Sequence, residues 1–222
     1  MASGISRVPF KLSLIIAFAS GGAALAHEVI WTRRLVDILG ASAETFSKVI
    51  GTFFLGLALG AYIASRKQWG MRAGWLGVSA AELTIGLLGI PLLYSPFWSE
   101  PLYSHAGLVP WLRLLLPVLL VPPPAAAMGL VLPWLIDAVA RSERRSANLA
   151  VWIYAANTIG GIVGVAGMML APVPKLGLTG TGLLVCGINF VTAAVAASLF
   201  FQSPRWQKRT AESAEPSAFA QP

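Results

Sequence analysis

Ionisable residues are scarce in this chain of 222 residues, with nine acids, sixteen bases and two histidines. A few of its polar residues stand inside long apolar runs. An ionisable group in such a place is expensive in lipid and usually faces the interior of a helix bundle. Glu82 lies about nine residues into one apolar run, and Asn157 about ten into another, or about 14–15 Å along a helix. Asn189 lies about ten residues into a third run, counted from the opposite face, so all three fall near the middle of a bilayer. Tyr154 sits about one turn from Asn157 on a similar helix face. A carboxyl at this depth is neutral or paired, because desolvation disfavours its charge. Such a set either forms a polar cavity for a substrate or proton, or supplies interhelical hydrogen bonds that fix the bundle.

A second constellation is His27-Glu28-Val29-Ile30-Trp31-Thr32-Arg33-Arg34. It is predicted to end the first apolar run near the outer face. Glu28 and Thr32 are four apart and share a helix face. Arg33 and Arg34 are long enough to snorkel to the interface. Two arginines together suggest partners, and Glu28, Asp37 and Glu44 are the nearby acids. The set reads either as an outer-face anion or substrate site, or as interfacial anchoring by Trp31 and the arginines. No Ser/His/Asp arrangement occurs, and His27, His105 and Cys186 lack metal-ligand spacing. No catalytic residue, metal or cofactor is therefore predicted. Cys186 reads as a small buried residue.

The elements that must position these residues are six apolar stretches, at about 10–32, 47–65, 73–95, 108–138, 147–171 and 179–201. A spanning helix needs roughly 20 mostly apolar residues. The chain is 56% hydrophobic and 11% charged, against about 25% charged in a soluble domain. The predicted class is all-α, a polytopic transmembrane helix bundle of about six spans over residues 1–202. A short polar tail, 203–222, is expected to be disordered and cytoplasmic. With both ends placed in the cytoplasm, eleven of the sixteen basic residues fall inside, which satisfies the positive-inside rule. That distribution accounts for the basic charge without nucleic acid, since no basic patch with interleaved aromatics is present. The run Ala24-Leu25-Ala26 continues into an apolar helix, so the first stretch reads as a span and not as a cleaved leader.

The fourth stretch contains Pro122-Pro123-Pro124, which removes three backbone donors. The sequence predicts one kinked span there, with a re-entrant pair as the alternative. Gly56 and Gly60 in the second stretch, and Gly160 and Gly164 in the fifth, share helix faces that let backbones approach closely. They are expected to pack helices within the chain. Gly177-Leu178-Thr179-Gly180-Thr181-Gly182 opens a membrane helix and follows no strand, so it is not read as a phosphate loop. Three spans on each side of the 96–107 loop would allow an inverted repeat, although the side chains of the two halves match poorly.

The motifs, taken in order, resemble one family. They are Ser20-Gly21-Gly22-Ala23-Ala24-Leu25 with Glu28-Val29-Ile30-Trp31-Thr32-Arg33, then Phe54-Leu55-Gly56-Leu57-Ala58-Leu59-Gly60, then Glu82-Leu83-Thr84-Ile85-Gly86-Leu87. Met128-Gly129-Leu130-Val131-Leu132-Pro133, Tyr154-Ala155-Ala156-Asn157-Thr158-Ile159-Gly160 and Leu176-Gly177-Leu178 follow. Together they resemble the membrane half of bacterial membrane-anchored spermidine synthase-like proteins, in which a transporter-like bundle is fused to an aminopropyltransferase. In that family a soluble transferase domain commonly follows the last helix. Here about twenty residues follow the last span, too few to fold such a domain. His27 stands where an aromatic residue such as tyrosine is expected.

The resemblance implies a stand-alone membrane domain in the bacterial inner membrane. It would act as an anchor or transport-like partner of a soluble aminopropyltransferase, with no catalysis of its own. The alternative is a small transporter or channel for a cationic amine or polyamine-like solute, using Glu82 and Glu28. Under either reading the candidate polar residues are Glu28, Arg33, Glu82, Tyr154, Asn157 and Asn189.

Overall fold

The computed structural model describes residues 10–103, 109–142 and 146–202. They form eight helices: α1 (Phe10–Leu39), α2 (Ala43–Ser65), α3 (Lys67–Leu93), α4 (Ser95–Tyr103), α5 (Val109–Leu120), α6 (Pro122–Ser142), α7 (Ser146–Leu170) and α8 (Pro172–Phe201). Among the described residues, six helical segments are long and apolar enough to cross a membrane. The chain is a multi-pass helical membrane protein. His105, the tail 203–222 and most of the basic residues behind the topology argument, from Arg7 through the Arg141–Arg145 cluster to Arg209, lie outside the described residues or side chains.

Local chemistry sets the helix ends. Gly40 takes a left-handed backbone (φ 88°) just past α1, and its N–H bonds Val36 O at 2.9 Å. Glycine enters that region without strain. Ser42 then caps α2, its hydroxyl accepting from the Thr45 N–H at 3.1 Å. The three prolines stand at the interruption within the one span that the sequence predicts. They form the first turn of α6, where backbone N–H groups have no intrahelical partner in any case. The interruption is confined to Val121. The hydrogen bonds Val121 N to Pro117 O (3.2 Å) and Ala125 N to Val121 O (3.1 Å) continue on either side of it. Leu115–Ala140 thus forms one apolar segment containing this interruption.

In lipid, apolar side chains gain little from leaving the solvent, so close packing through small residues holds helices together. The main packing pairs are α1 with α7, α2 with α6, and α3 with α8. The glycines show how. A Cβ on Gly56 would meet Ala125 Cβ at 2.6 Å and Pro122 O at 2.7 Å, and one on Gly60 would strike Ala126 O. A Cβ on Gly160 would strike Phe18 O, and one on Gly164 would meet Gly22 O at 2.6 Å.

These two crossings are the same crossing made twice. A shift of 104 residues, from Gly56 to Gly160, carries Gly60 to Gly164, Phe18 to Pro122 and Gly22 to Ala126. It also carries the Leu25–Gly161 contact onto the Gly129–Leu57 contact. Gly86, packed on the Phe190 ring, maps onto its own partner. The helix breaks agree: Gly74 in α3 (φ 46°) and Gly177 in α8 (φ 67°) stand near the start of the third span of each half. Because each half has three spans, the second runs opposite to the first. The fold is a three-plus-three inverted repeat whose halves interlock along all three pairs, and the crossing of α3 on α8 is the one that the repeat maps onto itself.

The crossings give a direct prediction. Gly60→Leu and Gly164→Leu should each destabilise the bundle by about 1–3 kcal/mol or more through overpacking. Gly167→Leu should be silent, because its Cβ would meet nothing within 4 Å. Thermal unfolding in detergent separates them, and equal melting temperatures for all three would contradict the packing.

Candidate functional site

The junction of the two halves is where polar chemistry collects. Glu82 sits near the middle of the apolar span of α3 (Gly74–Leu93) and is 0% exposed. The Nδ2 of Asn189, on α8, donates to Glu82 Oε2 at 2.7 Å. The Oδ1 of Asn189 lies 2.8 Å from His27 Nε2, on α1. The Ser20 hydroxyl, on the same face of α1 as His27, sits beside the Glu82 carboxyl. His27 stacks on Trp31, with centroids 4.7 Å apart and planes 28° apart. A Cβ on Gly89 would lie 3.1 Å from His27 Cε1 and 3.3 Å from Cys186 Sγ. The missing side chain at Gly89 is what lets the imidazole into the core.

The result is a chain of hydrogen-bonding groups across α1, α8 and α3, sealed from lipid, with His27 and Asn189 each 1% exposed. Its donor directions are fixed by chemistry. The Asn189 amide presents its NH2 to Glu82 Oε2 and its oxygen to His27, and an amide oxygen only accepts. Nε2 of His27 therefore carries the proton. Of the six buried side-chain atoms without a partner among the described residues, two belong to this network: Glu82 Oε1 and His27 Nδ1. Buried polar atoms rarely stay unpaired. Here two occur at opposite ends of one network, which leaves acceptor capacity for a cation or a proton.

The repeat makes this cluster more specific. The same 104-residue shift pairs Glu82 with Cys186, His27 with Val131, Asn189 with Ile85 and Ser20 with Pro124. The two halves share their packing and differ in their polar residues, and these differences meet at the junction. No protein-family model, curated protein or solved structure matches the chain.

The remaining candidates are dispersed. Asn157 Nδ2 donates to Ala17 O at 3.2 Å, so this residue belongs to the α1–α7 crossing and is not part of the Glu82 network. Tyr154 is 61% exposed and faces outward. Because α1 continues to Leu39, His27 and Glu28 lie well inside that helix and not at its outer end. Glu28 and Arg33 line a groove of about 450 Å³ with Thr32, Phe46, Ile50 and Val165, on a different face of α1 from His27. Arg33 approaches Met169 Sδ at 3.9 Å. Arg34 donates to Thr179 and lies 3.8 Å from Asp37, while Glu44 pairs with Lys48 at 2.5 Å. Trp31, expected at the interface, is 1% exposed and supports His27 from below. Among the described residues, no three His, Cys, Asp or Glu side chains come together as metal ligands.

Sequence reasoning paired Glu82 with Asn189 by depth and missed His27. A signal was present: Ser20, His27 and Trp31 recur at intervals of seven and four, which places them on one helical face.

Proposed function

We propose that the chain is a small inverted-repeat transport domain for a cationic, amine-type solute, with Glu82 as the group that takes the cation or a proton. One observation carries the reading: a fully buried carboxyl, one of whose oxygens has no partner among the described residues, stands at the crossing of α3 on α8. Secondary transporters built from inverted repeats place their solute and coupling ion at that kind of junction, near the bilayer midplane. The ordered resemblance to spermidine synthase-like membrane domains supports an amine as the solute class. The same resemblance supports service as the membrane partner of a soluble aminopropyltransferase. The positive-inside count supports cytoplasmic termini, and the resemblance supports a bacterial inner membrane.

Purified protein in liposomes should take up labelled putrescine at least tenfold faster than empty liposomes, and unlabelled spermidine should compete. Uptake equal to empty liposomes would remove the transport reading. Topology is tested separately. A reporter fused to the C-terminus should be active only in its cytoplasmic form, and one fused after Gly107 only in its external form. The reverse pattern for either would break the six-span arrangement.

A further inference from the structure

One face of α1 carries a ladder of groups that ends at the Glu82 network. Ser20, His27, Trp31 and Arg34 follow one another at intervals of seven, four and three, so they share that face. Ser20 stands beside Glu82. His27 meets Asn189 of α8, and Trp31 stacks on His27. Arg34 donates to the Thr179 hydroxyl, also on α8. Arg34 lies seven residues beyond His27, or about 10 Å along the helix. Exposure falls in the same direction. The Arg34 side chain is 14% exposed, while Trp31 and His27 are fully buried. Arg34 therefore stands at the rim of the seam between α1 and α8, with Trp31 beneath it.

The contact at the rim is built so that it can open. α8 is broken at Gly177 (φ 67°), two residues before Thr179, so the bond from Arg34 ties down the first turn of a new helical segment. A groove of about 370 Å³ runs beside that segment, where Thr181, Val185 and Ile188 face Ala26 of α1 and Gly164 and Gly167 of α7, so the segment has room to move. The guanidinium also has a second place to go. Asp37, one turn further along α1 and half-exposed, lies 3.8 Å from Arg34 Nη1. Arg34 Nε is buried with no partner among the described residues, so the bond to Thr179 leaves one of its donors unused. Turning to Asp37 exchanges a bond to a neutral hydroxyl for a charge-assisted one.

We propose that Arg34 and Thr179, with Trp31 beneath them, form a charged gate over the path to Glu82, at the end of the bundle where α1 finishes. With Arg34 on Thr179 the seam is shut and its mouth carries a positive charge, which turns cations away. With Arg34 on Asp37 the bond across the seam is gone and the charge is paired. The gate belongs to one half alone. The 104-residue shift puts Ala138 at the place of Arg34 and Trp75 at that of Thr179, and alanine has no donor to offer. The inference deepens the transport reading and rests on it for the solute that passes.

Cys186 supplies the readout. It is the one cysteine of the chain, it is buried, and with His27 it borders the space at Gly89. The full chain, in spheroplasts and in inverted vesicles, is labelled with two membrane-impermeant methanethiosulfonates, one cationic and one anionic. Arg34→Ala and Thr179→Val should each speed labelling of Cys186 at least tenfold, and only from the side that carries the loop at Gly107. In Arg34→Ala the cationic reagent should gain several-fold more than the anionic one, because the positive charge at the mouth is also removed. A general loosening of the bundle would favour neither reagent. Asp37→Asn, at an exposed side chain, leaves Arg34 to Thr179 and should slow labelling. Circular dichroism shows whether each variant is folded, and the Asp37→Asn comparison stands if the other two are not. Unchanged labelling in the folded variants, equal labelling from both sides, or equal gains for the two reagents in Arg34→Ala would each overturn the gate. No amine is present, so a failed gate and failed uptake are separate results.

Discussion

Glu82→Gln should leave the bundle folded and reduce amine uptake at least tenfold. Glutamine keeps the size of the side chain. Its amide oxygen can still accept from Asn189 Nδ2, and its NH2 can turn toward Ser20. The packing around the site is therefore preserved, and the melting temperature should stay within a few degrees of wild type. What is lost is the ability to carry charge or a proton. If Glu82 served only to tie helices together, the same variant would be silent in uptake as well. If it were one half of an obligatory buried ion pair, folded protein would be lost in Glu82→Gln and Glu82→Ala alike. The described arginines of α1 argue against such a pair, since Arg34 is engaged by Thr179 and Asp37, and Arg33 reaches toward Met169.

Asn189→Leu should be the most damaging single change in the core. It removes the partner of Glu82 and that of His27 in one step. An ordinary interhelical hydrogen bond in a membrane is worth about 0.6 kcal/mol. Stranding a buried polar group costs about 1–3 kcal/mol for each group left unmade. With two groups stranded, the destabilisation should be about 2 kcal/mol or more, visible as a clear fall in melting temperature. Glu82→Leu added to Asn189→Leu should recover part of that loss, because the carboxyl that had no partner is gone. Coupling of this kind is what contacting residues show in a double-mutant cycle. The double variant should fold and fail to transport. Additive destabilisation would mean that the two side chains do not depend on each other.

Depth was legible in the sequence, and direction around each helix was not. Position within an apolar run gave the height of Glu82, Asn157 and Asn189. Only packing decided that the first and third meet and that Asn157 turns to the backbone of α1 at Ala17. Tyr154 failed for the same reason: a helix face shared with Asn157 reads equally well as inward or outward. The length of α1 was underestimated because Arg33 and Arg34 look like the end of a span. The helix runs past them to Gly40, since nothing before that glycine stops it. The repeat was nearly invisible in side chains because its halves share only small residues at crossings and glycines at breaks. Those positions are fixed by backbone approach, which tolerates many different neighbours. The proline triplet was read as a kink within one span, and Leu115–Ala140 is one apolar segment interrupted at Val121; at the start of α6 the triplet costs no hydrogen bond that the first turn would have made.

The central claim is that Glu82 exchanges a proton for a cation, and proton counting tests it most directly. Putrescine added to purified protein in weakly buffered detergent solution should release about one proton per chain as it binds, as linkage requires when one acid gives up its proton to make room for a cation. Glu82→Gln should release none. Binding without proton release in the wild type, or equal release from Glu82→Gln, would contradict the account.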